Sequence, residues 1–179
     1  MDSFNPTTKT QAAMTAALQS ASSAGNPDIR PAHLLVALLD QTDGIAAPLL
    51  KAVGVDPTVV HREGQDLVDR LPKTTGATTT PQLGREALAA LTAAQHLATE
   101  LDDEYVSTEH LMVGLASGES DVAGLLKRHG ATPEALRDAF TTVRGSARVT
   151  SRIRRGRTRR SRSTPPTSPR RPGTASSTR

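Results

Sequence analysis

Cysteine and tryptophan are absent from this chain, and one tyrosine and two phenylalanines are its only aromatics in 179 residues. Without cysteine there can be no disulfide, no thiolate metal site and no cysteine nucleophile, a composition that suits a reducing compartment. No apolar run approaches the ~18 residues that a membrane-spanning helix needs. The opening Met1-Asp2-Ser3-Phe4-Asn5-Pro6 has neither the basic nor the apolar region of a secretory signal, so the expected location is the cytoplasm. There is no Gly-x-x-x-x-Gly-Lys-[Ser/Thr] loop to cradle nucleotide phosphates. Nowhere do apolar and polar residues alternate as they would in half-buried strands. Acidic residues are missing from one region altogether. Residues 1–151 carry 12 Lys+Arg and all 18 Asp+Glu, a net charge of −6, whereas residues 152–179 carry 10 Arg and no acid. The alkaline isoelectric point therefore belongs to the tail and not to the body.

What the chain does have is a repeat. Ile29-Arg30-Pro31-Ala32-His33-Leu34-Leu35-Val36-Ala37-Leu38-Leu39 returns as Val106-Ser107-Thr108-Glu109-His110-Leu111-Met112-Val113-Gly114-Leu115-Ala116, at an offset of 77. Pro48-Leu49-Leu50-Lys51 returns as Gly124-Leu125-Leu126-Lys127, at an offset of 76. The lost residue places a loop between the two blocks. The unit to be explained is therefore a duplicated segment of about seventy-seven residues.

Helical periodicity runs through both copies. Asn5-Pro6 reads as a capped helix start, followed by Ala13, Met14, Ala17, Leu18 and Ala21 on one face. Pro31 opens a second helix with Leu34, Leu35, Leu38 and Leu39. Ile45, Leu49, Leu50 and Val53 make a third, closed by Gly54. Asp56-Pro57 starts a fourth, which Pro72 stops. Residues 73–80 form a polar linker, and Thr80-Pro81 starts the second copy. Its first helix is lined by Leu88, Leu91, Ala94, Leu97 and Ala98. Leu111, Met112 and Leu115 line the next, Leu125 and Leu126 the third, and Leu136 and Phe140 the fourth. The expected fold class is all-α, two pseudo-repeats of four helices each: repeat one over 5–72 and repeat two over 81–145 of a domain spanning 1–148. Residues 149–179, nearly devoid of apolar side chains, are expected to be a disordered Arg/Ser/Pro-rich tail.

A duplicated four-helix unit with [hydrophobic]-x-x-x-His-Leu-[Leu/Met] at each second helix resembles the Clp N-terminal domain (Clp R domain), the module that begins the ATP-dependent Clp unfoldases and disaggregases. The resemblance covers residues 3–148. It rests on Thr7-Thr8-Lys9, Asp28-Ile29-Arg30-Pro31-Ala32-His33-Leu34-Leu35, Leu71-Pro72, Ser107-Thr108-Glu109-His110-Leu111 and Val143-Arg144-Gly145. The Leu-Pro before a polar linker and the Val143-Arg144-Gly145 ending resemble the ClpB type more than the ClpC type. ClpC-type domains read phosphoarginine with a glutamate before each histidine. Here the first half has Arg30-Pro31-Ala32-His33, and only Glu109 remains.

The resemblance implies a non-catalytic cap that captures unfolded or aggregated polypeptide for an ATPase ring. It places substrate contact on Thr7, Asp103 and Glu109, and apolar contact on Leu97 and Tyr105. The residues themselves offer an acidic cluster, Asp102, Asp103, Glu104 and Glu109, around Tyr105. Such a run is most often a solvated loop. Its sharper reading is a peptide-binding rim in which carboxylates attract basic side chains beside apolar contact area. Thr7→Ala and Asp103→Ala are expected to leave the core untouched. His33 and His110 lack the neighbouring ligands of a His-x-x-x-His metal site, and a backbone or linker group is their expected partner. No catalytic residue, metal or cofactor is expected, and the isolated chain is expected to be monomeric. The Arg-rich tail carries two readings. One is an arm that binds nucleic acid through phosphate neutralisation, the alternative function for the chain. The other is the product of a frameshift in GC-rich DNA, since Arg, Ser, Thr and Pro replace the expected continuation abruptly after Ser151.

Overall fold

Residues 4–74 and 80–144 are described by the computed structural model. Most of the 73–80 linker and the tail from 145 onward, with the expectations of disorder, nucleic-acid binding and frameshift placed on that tail, lie outside the described residues. Helix α1 runs Thr8–Ala24. It begins later than Asn5-Pro6 suggested, because Thr7 is the cap: its hydroxyl accepts the Thr10 N–H at 3.2 Å. Asn5 and Pro6 are extended instead, and Pro6 bridges in parallel to Val106. Helices α2 (Pro31–Asp40), α3 (Ala46–Ala52) and α4 (Pro57–Asp69) complete the first half. The proline at the first turn of α2 and α4 sits where its missing N–H costs nothing.

In the second half α5 spans Arg85–Glu100, α6 Thr108–Ser117 and α7 Asp121–Arg128. A last helix, α8, covers 133–144. Its start is capped by Thr132, whose hydroxyl accepts the Ala135 N–H. Thr80-Pro81 does not start a helix. Gln82–Leu83 is a two-residue strand, β2, paired in parallel with β1, Asp28–Ile29. Among the described residues the expectation of eight helices as four plus four therefore holds, and the missing feature is this short pairing, too brief for any period-two signal. Residues 1–141 form one compact unit; of the second, 142–179, only 142–144 are described.

The sequence offset is a structural operator. Shifting α1 by 77 gives α5, and shifting α2 by 77 gives α6; the offset of 76 carries α3 and α4 onto α7 and α8. The missing residue falls in the turn before α7. The pairing obeys the same rule with the halves exchanged. Leu83, before α5, pairs with Ile29, before α2, while Pro6, before α1, pairs with Val106, before α6. Each half thus lends its leading segment to the other.

Helices α2 and α6 are apolar all round and form the centre, as such helices must. Every residue from Pro31 to Leu38 is buried, as is every residue from Thr108 to Ala116 except Glu109. Leu34, Leu35, Leu38, Leu49 and Leu50 meet Leu111, Met112, Leu115, Leu125 and Leu126 in one continuous core. Helix α6 packs most closely on α5, where a Cβ on Gly114 would collide with the Ala90 carbonyl oxygen.

Candidate functional site

The two histidines of the repeat show how the surface loops are held. Helix α1 ends with Gly25 in the left-handed region, and the N–H groups of Gly25 and Asn26 return to the Ser22 and Ala21 carbonyls. Helix α5 ends the same way: Asp102 takes the left-handed conformation, and Asp102 and Asp103 donate to Thr99 and Ala98. This double backbone closure is the common way to satisfy the last carbonyls of a helix. The residue after the left-handed position, Asn26 or Asp103, aims its side chain at a histidine seven residues on.

His33 Nδ1 accepts the Arg30 N–H at 2.9 Å, and its Nε2 lies 3.0 Å from Asn26 Oδ1. With Nδ1 accepting, Nε2–H is the donor to Asn26. Asn26 in turn donates its amide to the Pro72 carbonyl at 3.0 Å. In the second half His110 Nδ1 accepts the Ser107 N–H at 2.9 Å, and Nε2 lies 3.0 Å from Asp103 Oδ2. The Ser107 hydroxyl is 2.8 Å from the same Nδ1. Each histidine therefore ties the end of one helix to the start of the next. Both are buried, and their engaged nitrogens match the expectation of backbone and linker partners. Burial holds the His33 pKa below its ordinary value, with the nearby Arg30 charge acting in the same direction.

This arrangement corrects the expectation that Thr7→Ala and Asp103→Ala would leave the core untouched, since each side chain is bonded to a buried residue. Thr7 caps α1, and its hydroxyl lies 2.9 Å from that of the buried Thr10. Asp103 has a side chain only 13% exposed and is the partner of a buried ring. Leu97 is buried in α5, and Glu109 is half-buried in the first turn of α6, where its charge suits the helix N-terminus. Tyr105 is 52% exposed. Thr7 and Tyr105 are brought to the two sides of one contact, since Thr7 N–H donates to the Val106 carbonyl at 3.0 Å.

None of these five residues lines the apolar cleft along α5. That cleft is a groove of about 830 Å³ running along α5. Phe4, Met14, Leu83, Leu88 and Leu91 form its apolar walls, and Thr92, Gln95, His96, Thr99 and Glu100 its polar side. Leu83 and Leu88 are 41% and 52% exposed, large apolar side chains left facing solvent. Sequence periodicity assigned Leu88 to the buried face of α5, and the structure overturns this. The repeat held the clue, because position 11, its equivalent in the first half, is an exposed glutamine. Met14 and Leu91 are also equivalent positions, so the groove draws matching residues from both halves. Glu100 on the rim is paired with Arg137. Among the described residues no group of His, Asp and Glu is placed to hold a metal ion, and no helix is long and apolar enough to cross a membrane.

Comparison with known proteins agrees with this architecture. The model of the Clp repeat (R) N-terminal domain matches residues 5–129. Chaperone protein ClpB of Mycobacterium tuberculosis (strain ATCC 25618 / H37Rv) is 76% identical over 151 residues, and that of Mycobacterium leprae is 68% identical over the same length. These alignments take in 84% of this chain and 18% of each relative, so the chain spans less than a fifth of the proteins it matches. The fold is similar to the Hsp104 N-terminal domain from Candida albicans, with a TM-score of 0.69 at 18% identity over 79% of this chain and 93% of that one. It is also similar to a ClpV N-domain solved in complex with a VipB peptide, with a TM-score of 0.60 at 17% identity over 76% and 84% of the two chains. The double four-helix repeat with its paired histidines thus defines a Clp N-terminal domain, and the chain belongs to that family. Within it, the chain corresponds to the N-terminal part of ClpB chaperones.

Proposed function

We propose that this chain is a polypeptide-capture module for a ClpB-type chaperone, holding apolar stretches of unfolded or aggregated protein in the α5 groove. The observation that carries the reading is the groove itself. Its apolar walls include two leucines that are more than a third exposed, an arrangement a monomer retains where something binds. In this reading the captured polypeptide passes to an ATP-driven ring, supplied by a longer form of the protein or by another chain, in the cytoplasm; the likeness to ClpB chaperones supports it. The body's net charge of −6 favours basic segments beside the apolar ones. An open groove without a deep anchor pocket should bind at micromolar strength or weaker, about −8 kcal/mol at best.

Titration of a labelled, reduced and alkylated polypeptide against the chain and against Leu88→Gln tests the groove. Leu88→Gln installs the residue of the equivalent first-half position on an exposed site, so the fold should persist while affinity falls about threefold to tenfold. Unchanged binding by a folded Leu88→Gln protein would remove the groove from the proposal. The lack of a phosphate loop leads to a second expectation: calorimetry with ATP should show no saturable heat. Removing residues 152–179 separates capture from nucleic-acid binding by the basic arm. Polypeptide binding should survive the truncation, and any salt-dependent affinity for DNA or RNA should vanish with it.

A further inference from the structure

Phe4 is the first described residue of the chain and one wall of the groove, yet it belongs to no helix or strand. Its position depends on the segment that follows. Val106 N–H donates to the Asn5 carbonyl at 2.8 Å, and Thr7 N–H donates to the Val106 carbonyl at 3.0 Å. These two bonds around one residue strap residues 4–7 to the loop between α5 and α6. The corresponding strap in the other half is a two-residue strand pair, and its residue equivalent to Phe4 is the buried Pro81. The strap bearing Phe4 is thus the less extensively paired of the two, and the one whose aromatic side chain faces the groove.

Val106 is held in turn from the α6 side. The Ser107 N–H is fixed on His110 Nδ1, and His110 is fixed on Asp103. A continuous hydrogen-bonded path therefore leads from Asp103 through His110 and the 106–107 backbone to the strap and Phe4. We propose that Phe4 is a specificity-determining wall of the groove and that Asp103 and Thr7 are positioning residues for it, acting on bound polypeptide through the strap without touching it. This deepens the groove reading above and rests on it.

The first half supplies the conservative replacement. Asn26 stands where Asp103 does and holds His33 through its amide oxygen, so Asp103→Asn keeps the acceptor and removes only the charge. The chain has no tryptophan, so Phe4→Trp makes the strap's own side chain the sole indole reporter. Without any polypeptide, Asp103→Ala in the Phe4→Trp background should shift the emission to the red as the indole leaves the groove, and Asp103→Asn should leave it in place. Binding of the labelled, reduced and alkylated polypeptide should weaken about threefold to tenfold for Phe4→Ala and for Asp103→Ala. Asp103→Asn should restore the affinity, and Asp103→Ala should add nothing further in a Phe4→Ala background. Melting curves confirm that each variant is folded. An indole emission indifferent to Asp103→Ala would overturn the proposal. So would equal losses for Asp103→Asn and Asp103→Ala, which would mean direct contact by the charge, or additive losses in the double variant. Loss of binding in Leu88→Gln together with any of these results would leave the groove standing and remove only the strap.

Discussion

His33 is wholly buried, and its ring satisfies both a helix cap and the Asn26 amide oxygen. Deleting the ring in His33→Ala strands the Arg30 N–H and the Asn26 side chain and opens a cavity, at a cost of about 3 kcal/mol. Chemical denaturation read by circular dichroism measures that loss. The same ring gives the protein a pH dependence of known sign. Burial lowers its folded pKa below the ordinary 6.5, so between the two values the unfolded chain binds more protons than the folded one. Stability from His33 is then complete above the ordinary value and is lost as pH falls below it towards the folded value. Melting temperatures at about pH 7.5 and 5.5 should fall more steeply for the wild type than for His33→Gln, whose side chain does not titrate in that range. Asp103, legible in the sequence as one of an acidic run, was not legible as a histidine partner. The signal lay in the repeat: Asn26 precedes His33, and Asp103 precedes His110, by the same seven residues.

At the scale of the elements, helix lengths and order follow from apolar spacing, whereas helix approach follows from single small residues. Gly114 allows α6 to sit against the α5 backbone, and Gly114→Ala must drive the two apart. The expected cost is about 2 kcal/mol, or roughly 8 °C in melting temperature. Gly124 in α7 provides the opposite case, since a Cβ there meets nothing within 4 Å. Gly124→Ala should stabilise by about 0.5–1 kcal/mol through better helix propensity. A calorimetric scan of the two variants beside the wild type should therefore move in opposite directions. Leu88 shows where element-level reading fails. Its spacing puts it near the buried stripe of α5, but no element of the described structure packs over it. Only the neighbours of a helix, and not its periodicity, decide which edge of the stripe is covered.

For the whole molecule, the exchange of leading segments makes the halves interdependent. Leu83 pairs into the first half and Pro6 into the second, and α4 meets α7 through Glu63, which accepts from His129 at 2.9 Å. The α2–α6 core is likewise shared between halves. Residues 1–74 alone and 80–144 alone should therefore show little helix by circular dichroism, and mixing them should restore it. Two independently folded halves would contradict the shared core. A body of this size buries most of its surface only when both halves contribute.

The amino-acid sequence by itself determined the number and order of the helices, the duplication and its one-residue loss, and membership of the Clp N-terminal family. These are local or periodic properties: apolar spacing, caps and a repeated motif survive any uncertainty about which face meets which. The tertiary structure alone decided that Asn5-Pro6 and Gln82-Leu83 are extended, because their pairing partners lie 100 residues away for Pro6 and 54 residues away for Gln82-Leu83, and at Asn5-Pro6 that pairing overrides a local helix-start signal. It alone showed that Thr7 caps α1, that Asp103 partners the buried His110, and that an apolar groove runs along α5. Burial and pairing depend on which helices pack together, and that is a property of the assembled core that no window of sequence contains.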